Sequence, residues 1–171
     1  MPEPKRIVIN TSPLISLVAA LGELTVLQIL YDEVLVTLEV CQEILAGGAA
    51  GFAIAEFRAA IWLQKWPNSL EISPTLLSSL EPGEAAVIQL AIQENIQTVC
   101  IDETAGRRVA KQMGLSLTGS LGILLRAKRE GYPLLIQSAI ERMTNRGIRL
   151  SNTIIAAALK QAGEGNPGIN P

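Results

Sequence analysis

The chain has 171 residues, of which 49% are hydrophobic and 4% aromatic, with a net charge of −2. That supports one core and not two, and its aliphatic character suits helices packed on a mostly parallel sheet better than an antiparallel sandwich. The absence of histidine excludes Ser-His-Asp and Cys-His nucleophiles, His-ligated zinc and histidine general bases, leaving carboxylates, lysines, hydroxyls or a bound metal.

The charge is unevenly spread. Residues 1–100 carry 4 basic and 11 acidic side chains, whereas residues 101–171 carry 10 and 5. Solvated helix faces account for this, and so does a phosphate-binding edge beside an acidic pocket. Cys41 and Cys100 lie far apart and form no disulfide framework. No apolar run reaches the ~18 residues of a membrane span, and the opening residues do not make a signal peptide. The expectation is a cytoplasmic protein with no membrane contact.

In chain order, Arg6 to Asn10 reads as a buried strand, stopped by Thr11-Ser12-Pro13. Pro13 suits a first helical turn, with Ser12 or Thr11 as its cap. Leu14, Leu17, Val18 and Leu21 keep helical spacing up to Gly22, and Leu24, Leu27 and Leu30 mark a second short helix. Glu33 to Thr37 is another strand, reached by a parallel crossover. Leu38 to Ala46 is predicted helical, with Val40, Ile44 and Leu45 facing inward and Glu43 among them. After the Gly47-Gly48 break, Phe52 to Trp66 is predicted as one helix, Leu70 to Ile72 as a short edge strand, and Leu80 to Gly83 as a loop.

The second half alternates more regularly. A helix over Glu84 to Gln93 leads to a strand at Thr98 to Ile101, closed by Asp102. Thr104 to Met113 is a helix stopped by Gly114, and Leu115 to Thr118 is a strand. Gly119-Ser120 opens a helix ending at Gly131, Pro133 starts another, and Ser151 caps the last, which ends near Gly163. Residues 1–162 are therefore expected to form one doubly wound α/β domain, and the Gly/Pro/Asn-rich residues 163–171 a disordered tail.

In an open parallel sheet, ligands bind beyond the C-terminal strand ends, where strand order reverses. Two strands here finish in oxygen-bearing side chains, Asn10 and Asp102, and Glu103 follows at once. Glu84 opens a helix, and Glu43 lies within an apolar helical face, where burial demands a cation or a donor. Such oxygen donors suit a hard cation, Mg²⁺ or Mn²⁺, and metal-assisted phosphoryl transfer. Each residue also has a plain structural account. Asn10 and Asp102 suit helix caps, Glu84 suits a first helical turn, and Glu43 and Glu103 suit solvated positions.

Five stretches in this order carry a family likeness: Val8-Ile-Asn-Thr-Ser-Pro-Leu-Ile15, Glu39-Val-Cys-Gln-Glu43, Pro82-Gly-Glu-Ala85, Ile101-Asp-Glu103 with Ala105-Gly-Arg107, and Thr118 to Lys128. Over roughly Ile7 to Gly163 the chain resembles a PIN-like family of prokaryotic proteins described as predicted nucleic-acid-binding, related to the toxin ribonucleases of toxin–antitoxin modules. The resemblance implies a three-layer α/β domain with sheet order 3-2-1-4-5 and an acidic pocket for Mg²⁺ or Mn²⁺. Position by position, Asn10 falls on the first acid of the pattern, Glu43 on the second, Glu84 on the third and Asp102 on the last, with Glu103 able to substitute for it. The departure is Asn10, which usually is Asp; its amide oxygen still ligates a cation but brings no charge and cannot act as a base.

The resulting expectation is a single-strand RNA endonuclease weakened at Asn10, with a small antitoxin protein as partner. Thr11, Ser12, Thr118 and Ser120 would touch phosphate or metal-bound water, and Arg107, Arg108 and Lys111 would line the approach of the RNA backbone, although these three also suit an exposed helix face. The second reading is a catalytically inactive module that binds nucleic acid or protein through the same pocket. A nucleotide-binding protein is disfavoured, since Asn10-Thr-Ser-Pro stands where a glycine-rich loop would be. The apolar run Phe52 to Trp62 suits either a homodimer face or core packing.

Overall fold

Ile7, Val8 and Ile9 have no polar side on which to meet water, and the chain buries all three completely. They form the centre of a parallel sheet. In the computed structural model, which describes residues 2–165, the strands are β1 (Arg6–Ile9), β2 (Glu33–Val36), β3 (Gln64–Lys65), β4 (Thr98–Cys100) and β5 (Ser116–Thr118). All neighbouring pairs are parallel, in the order 3-2-1-4-5. The strand order reverses between β1 and β4, so a crevice opens at their C-terminal ends.

Ten α-helices are described: α1 (Thr11–Leu21), α2 (Val26–Leu30), α3 (Leu38–Ala46), α4 (Ile54–Ala59), α5 (Pro74–Ser79), α6 (Pro82–Gln93), α7 (Thr104–Gln112), α8 (Ser120–Arg129), α9 (Ile136–Asn145) and α10 (Asn152–Gln161). A 3₁₀ turn, Gly48–Ala53, precedes α4. Helix α6 packs on β1 and β4, and α1 packs against α3, α8 and α9. The first turn of α6 and that of α1 thereby reach the same crevice.

Several local expectations need correction. Thr11 and Ser12 do not cap α1; both lie inside it, and Asn10 holds the cap position without a side-chain bond to the helix. The helix expected over Phe52 to Trp66 stops at Ala59, because residues 64 and 65 are drawn onto the open edge of β2. Leu35 pairs with Gln64, Val36 with Lys65, and Trp66 N–H donates to Val36 O at 2.8 Å. This edge strand replaces the one expected at Leu70 to Ile72. Helix α5 was not foreseen, and α6 begins at Pro82 and not Glu84. Leu45, expected inward, is exposed. Within the apolar run 52–62, Phe57 is buried, Arg146 stacks on the Phe52 ring, and Ile61 is left 88% exposed.

The described chain continues past Gly163 in an anchored form. Glu164 holds Lys128 Nζ at 2.6 Å and accepts from the amides of Ile136 and Gln137, at 2.7 and 3.0 Å, capping α9. The rest of the expected tail, residues 166–171, lies outside the described residues. Glu164→Ala leaves a half-buried ammonium and two helix amides without their acceptor. It should cost about 1–3 kcal/mol, read as a lower urea midpoint with an unchanged m-value.

Candidate functional site

Asn10 and Asp102 leave the C-terminal ends of adjacent parallel strands, Asp102 one residue further along in register. Asn10 N–H donates to Cys100 O at 3.0 Å, continuing the β1–β4 ladder by one residue. Ile101 N–H donates to Thr118 O, also at 3.0 Å, which sets Asp102 beside the end of β5. Asn10 is 3% exposed, and its Oδ1 has no hydrogen-bond partner among the described residues. An orphaned buried acceptor costs about 1–3 kcal/mol, and a cation or a donor on a ligand removes that cost.

The carboxylates divide into two sets. Asp102, Glu103 and Glu84 occupy one side of the α1 N-terminus. Asp102 Oδ1 accepts from the Ser120 amide at 2.7 Å, at the start of α8. Burial pushes the Asp102 carboxyl up, and the Ser120 donors and the Arg107 guanidinium oppose that shift. Arg107 is itself anchored, donating Nη1 to Ile101 O at 2.8 Å. A Cβ at Gly119 would stand 2.7 Å from Asp102 Oδ1 and 3.1 Å from Arg107 Nη1, so a side chain there would displace the carboxylate.

Glu84, buried in the first turn of α6, shares a hydrogen bond with Glu103. Burial first, and then this bond, push Glu84 up to about 7. The bond from Glu84 holds Glu103 below the usual carboxylate range against its partial burial, with help from the Ser12 hydroxyl, which donates to Glu103 Oε1. Of the two carboxyls, Glu103 is therefore the earlier to ionise and Glu84 the later.

Glu43 forms the second set and is exposed, not buried as its apolar surroundings in sequence led one to expect. It is nevertheless held. Thr11 Oγ1 donates to Glu43 Oε2 at 2.7 Å, and Glu43 Oε1 lies where a Cβ on Gly83 would be, 2.0 Å from that position. Its carboxylate thus rests on the first turn of α6, where the helix dipole favours negative charge. Consecutive hydroxyls of α1 reach both sets, Thr11 to Glu43 and Ser12 to Glu103.

A cavity of about 630 Å³ opens beside Asp102 and Glu103. Ser12, Arg107, Thr118 and Ser120 also line it, whereas Asn10, Glu43, Glu84, Arg108 and Lys111 do not. Arg108 and Lys111 lie on the exposed face of α7. Its opposite wall was missed from sequence: Ile148, Arg149, Leu150 and Ile154, from the α9–α10 connection and the first turn of α10. No local pattern marks these residues, since only the packing of α10 against α8 and α9 brings them to the site.

A family model described as a PIN domain matches residues 6–164. The chain belongs to the PIN-domain family. No curated protein and no solved structure matches it. The PIN domain accounts for the parallel sheet and its strand order, and PIN domains form a nuclease superfamily that generally uses divalent metal ions. The donors of this one suit such an ion in kind. All are oxygens, Asn10 Oδ1 is unsatisfied, and the neighbouring Glu84 and Glu103 carboxyls repel each other in a way that a cation would relieve. Among the described residues, however, no three His, Cys, Asp or Glu side chains form a ready-made metal-binding group. No single described helix of this PIN domain is long and apolar enough to cross a membrane.

Proposed function

We propose that this PIN domain is a Mg²⁺- or Mn²⁺-dependent endoribonuclease acting on single-stranded RNA, with its metal affinity reduced at Asn10. The observation that carries the reading is the acidic crevice at the switch point of the sheet, where Asp102 and Glu103 line one cavity, Glu84 opens the helix packed on β1 and β4, and Asn10 ends β1 with its Oδ1 orphaned. Asn10, Glu84, Asp102 and Glu103 would hold the cation, and Glu43 would face it from across the α1 N-terminus. When bound, the cation supplies Lewis-acid stabilisation of charge developing on the scissile phosphate.

The protein's own residues contribute the rest. Ser120 N–H and Arg107 fix Asp102, while Thr11 and Ser12 fix Glu43 and Glu103. Without the cation Glu84 keeps its proton up to about pH 7, so a cation held there would displace a proton in the neutral range. The toxin role, a small antitoxin partner, self-association and a cytoplasmic location belong to this proposal as well. The alternative is a non-catalytic module binding nucleic acid or protein; the missing charge at Asn10 and the lack, among the described residues, of a ready-made three-acid group favour it.

Calorimetric titration of Mn²⁺ separates the two. Binding to the wild type, tightened about tenfold or more in Asn10→Asp by one added anionic ligand, supports the nuclease. No tighter binding in that variant removes the role given to Asn10, and no binding at millimolar Mn²⁺ to either protein turns the reading to the binding module.

A further inference from the structure

We propose that the cavity beside the acids is a base pocket: it receives the unstacked nucleobase next to the scissile phosphate, between Leu117 and Leu121 on one side and Ile148, Leu150 and Ile154 on the other, while Arg149 holds a backbone phosphate. This rests on the ribonuclease reading and names what that site recognises. The cavity is lined both by the carboxylates Asp102 and Glu103 and by five aliphatic side chains, Leu117, Leu121, Ile148, Leu150 and Ile154. A metal ion or free phosphate has no use for an aliphatic wall, and a purely apolar ligand has none for the carboxylates and Arg149. A nucleotide in an RNA strand has both a flat apolar face and an anionic link.

Size and access agree. About 630 Å³ lies within the range of small-ligand pockets. A paired base cannot enter a recess of this kind, so the strand must be single or locally opened. Ile154 is 50% exposed at the start of α10, where Ser151 accepts from its amide at 3.1 Å and fixes the turn that presents it. The cations divide the work. Arg107 is tied to Ile101 O and serves Asp102, whereas Arg149 is exposed, with no hydrogen bond or ion pair among the described residues, and lines the cavity. With aliphatic side walls that accept the face of any base, discrimination falls to the edge groups, the Thr118 and Ser16 hydroxyls.

The test uses the full chain with single-stranded RNA containing one 2-aminopurine at the position beside the cut, and the same RNA abasic there. Fluorescence of the 2-aminopurine measures binding in EDTA, and cleavage is followed in Mn²⁺. Losing an apolar contact with the base in Ile154→Ser, or a phosphate contact in Arg149→Gln, should weaken binding about tenfold in each case. KM should rise by a similar factor with kcat within about twofold, since the base is held equally in ground and transition states. The abasic RNA should bind wild type and Ile154→Ser alike. Equal 2-aminopurine binding by wild type and Ile154→Ser, with cleavage intact, overturns the base pocket and leaves the ribonuclease standing. An absence of both RNA binding and cleavage in the wild type overturns the pocket and the ribonuclease together.

Discussion

Glu84→Gln and Asp102→Asn should each lower Mn²⁺-dependent cleavage of single-stranded RNA by about 10²–10⁴-fold while leaving the fold intact. Both changes keep the side-chain volume; Asp102→Asn removes a negative charge, and Glu84→Gln removes a carboxyl that could ionise to meet a cation. At Asp102 the lost charge is the one that the Ser120 amide and Arg107 orient at the end of β4, whereas Glu103 beside it is held by the Ser12 hydroxyl. At Glu84 the amide can still bond Glu103, but it cannot ionise for a cation. The contrast is Arg108→Ala on the exposed face of α7, which lies outside the cavity and should change kcat less than about threefold. Single-turnover cleavage with circular dichroism on each variant checks this. Full activity in Asp102→Asn would sink the catalytic assignment.

Stability should fall as pH rises from about 5 to 8, by roughly 2 kcal/mol after allowing for solvent screening at the exposed Glu103. The sign follows from which state holds the proton. Unfolded, Glu84 loses it near the ordinary value of 4.5; folded, it keeps it to about 7. Between those values the native state binds the extra proton, so its contribution is complete below 4.5 and is lost as pH climbs through 7. Glu103, held low, contributes in the opposite sense, losing its stabilisation as pH falls through its folded value. Glu84→Gln should flatten the neutral slope and exceed the wild type in stability at pH 8. A divalent cation at a hundred times its Kd should restore about 2.7 kcal/mol at pH 8 to the wild type alone. Urea midpoints at pH 5, 6.5 and 8, with and without Mn²⁺, give the answer; a flat wild-type profile would mean that Glu84 does not keep its proton toward neutral pH.

Much of the architecture could be read from the chain itself, because periodicity and punctuation are local. The run Ile7-Val-Ile has no polar face and must lie inside a sheet, and Pro82-Gly83-Glu84 carries a helix start in three residues. Asn10 and Asp102 were identifiable as strand-end oxygens on the same grounds. Contacts that depend on which elements become neighbours were not legible. Gln64 and Lys65 carry no β signal, yet the open edge of β2 makes them a strand. Glu43 lies in an apolar stretch, yet Thr11 and the bare Cα of Gly83 hold it at the surface. Ser12 looked like a cap and instead serves Glu103 from another layer. The wall of the cavity comes from Ile148 to Ile154, more than forty residues from Asp102 in sequence, and reaches it only because α10 packs on α8 and α9. Secondary structure follows from interactions a few residues apart, which composition and spacing record. A site assembled from the ends of several strands and helices depends on burial shared between distant segments, and that becomes visible only when the core has formed.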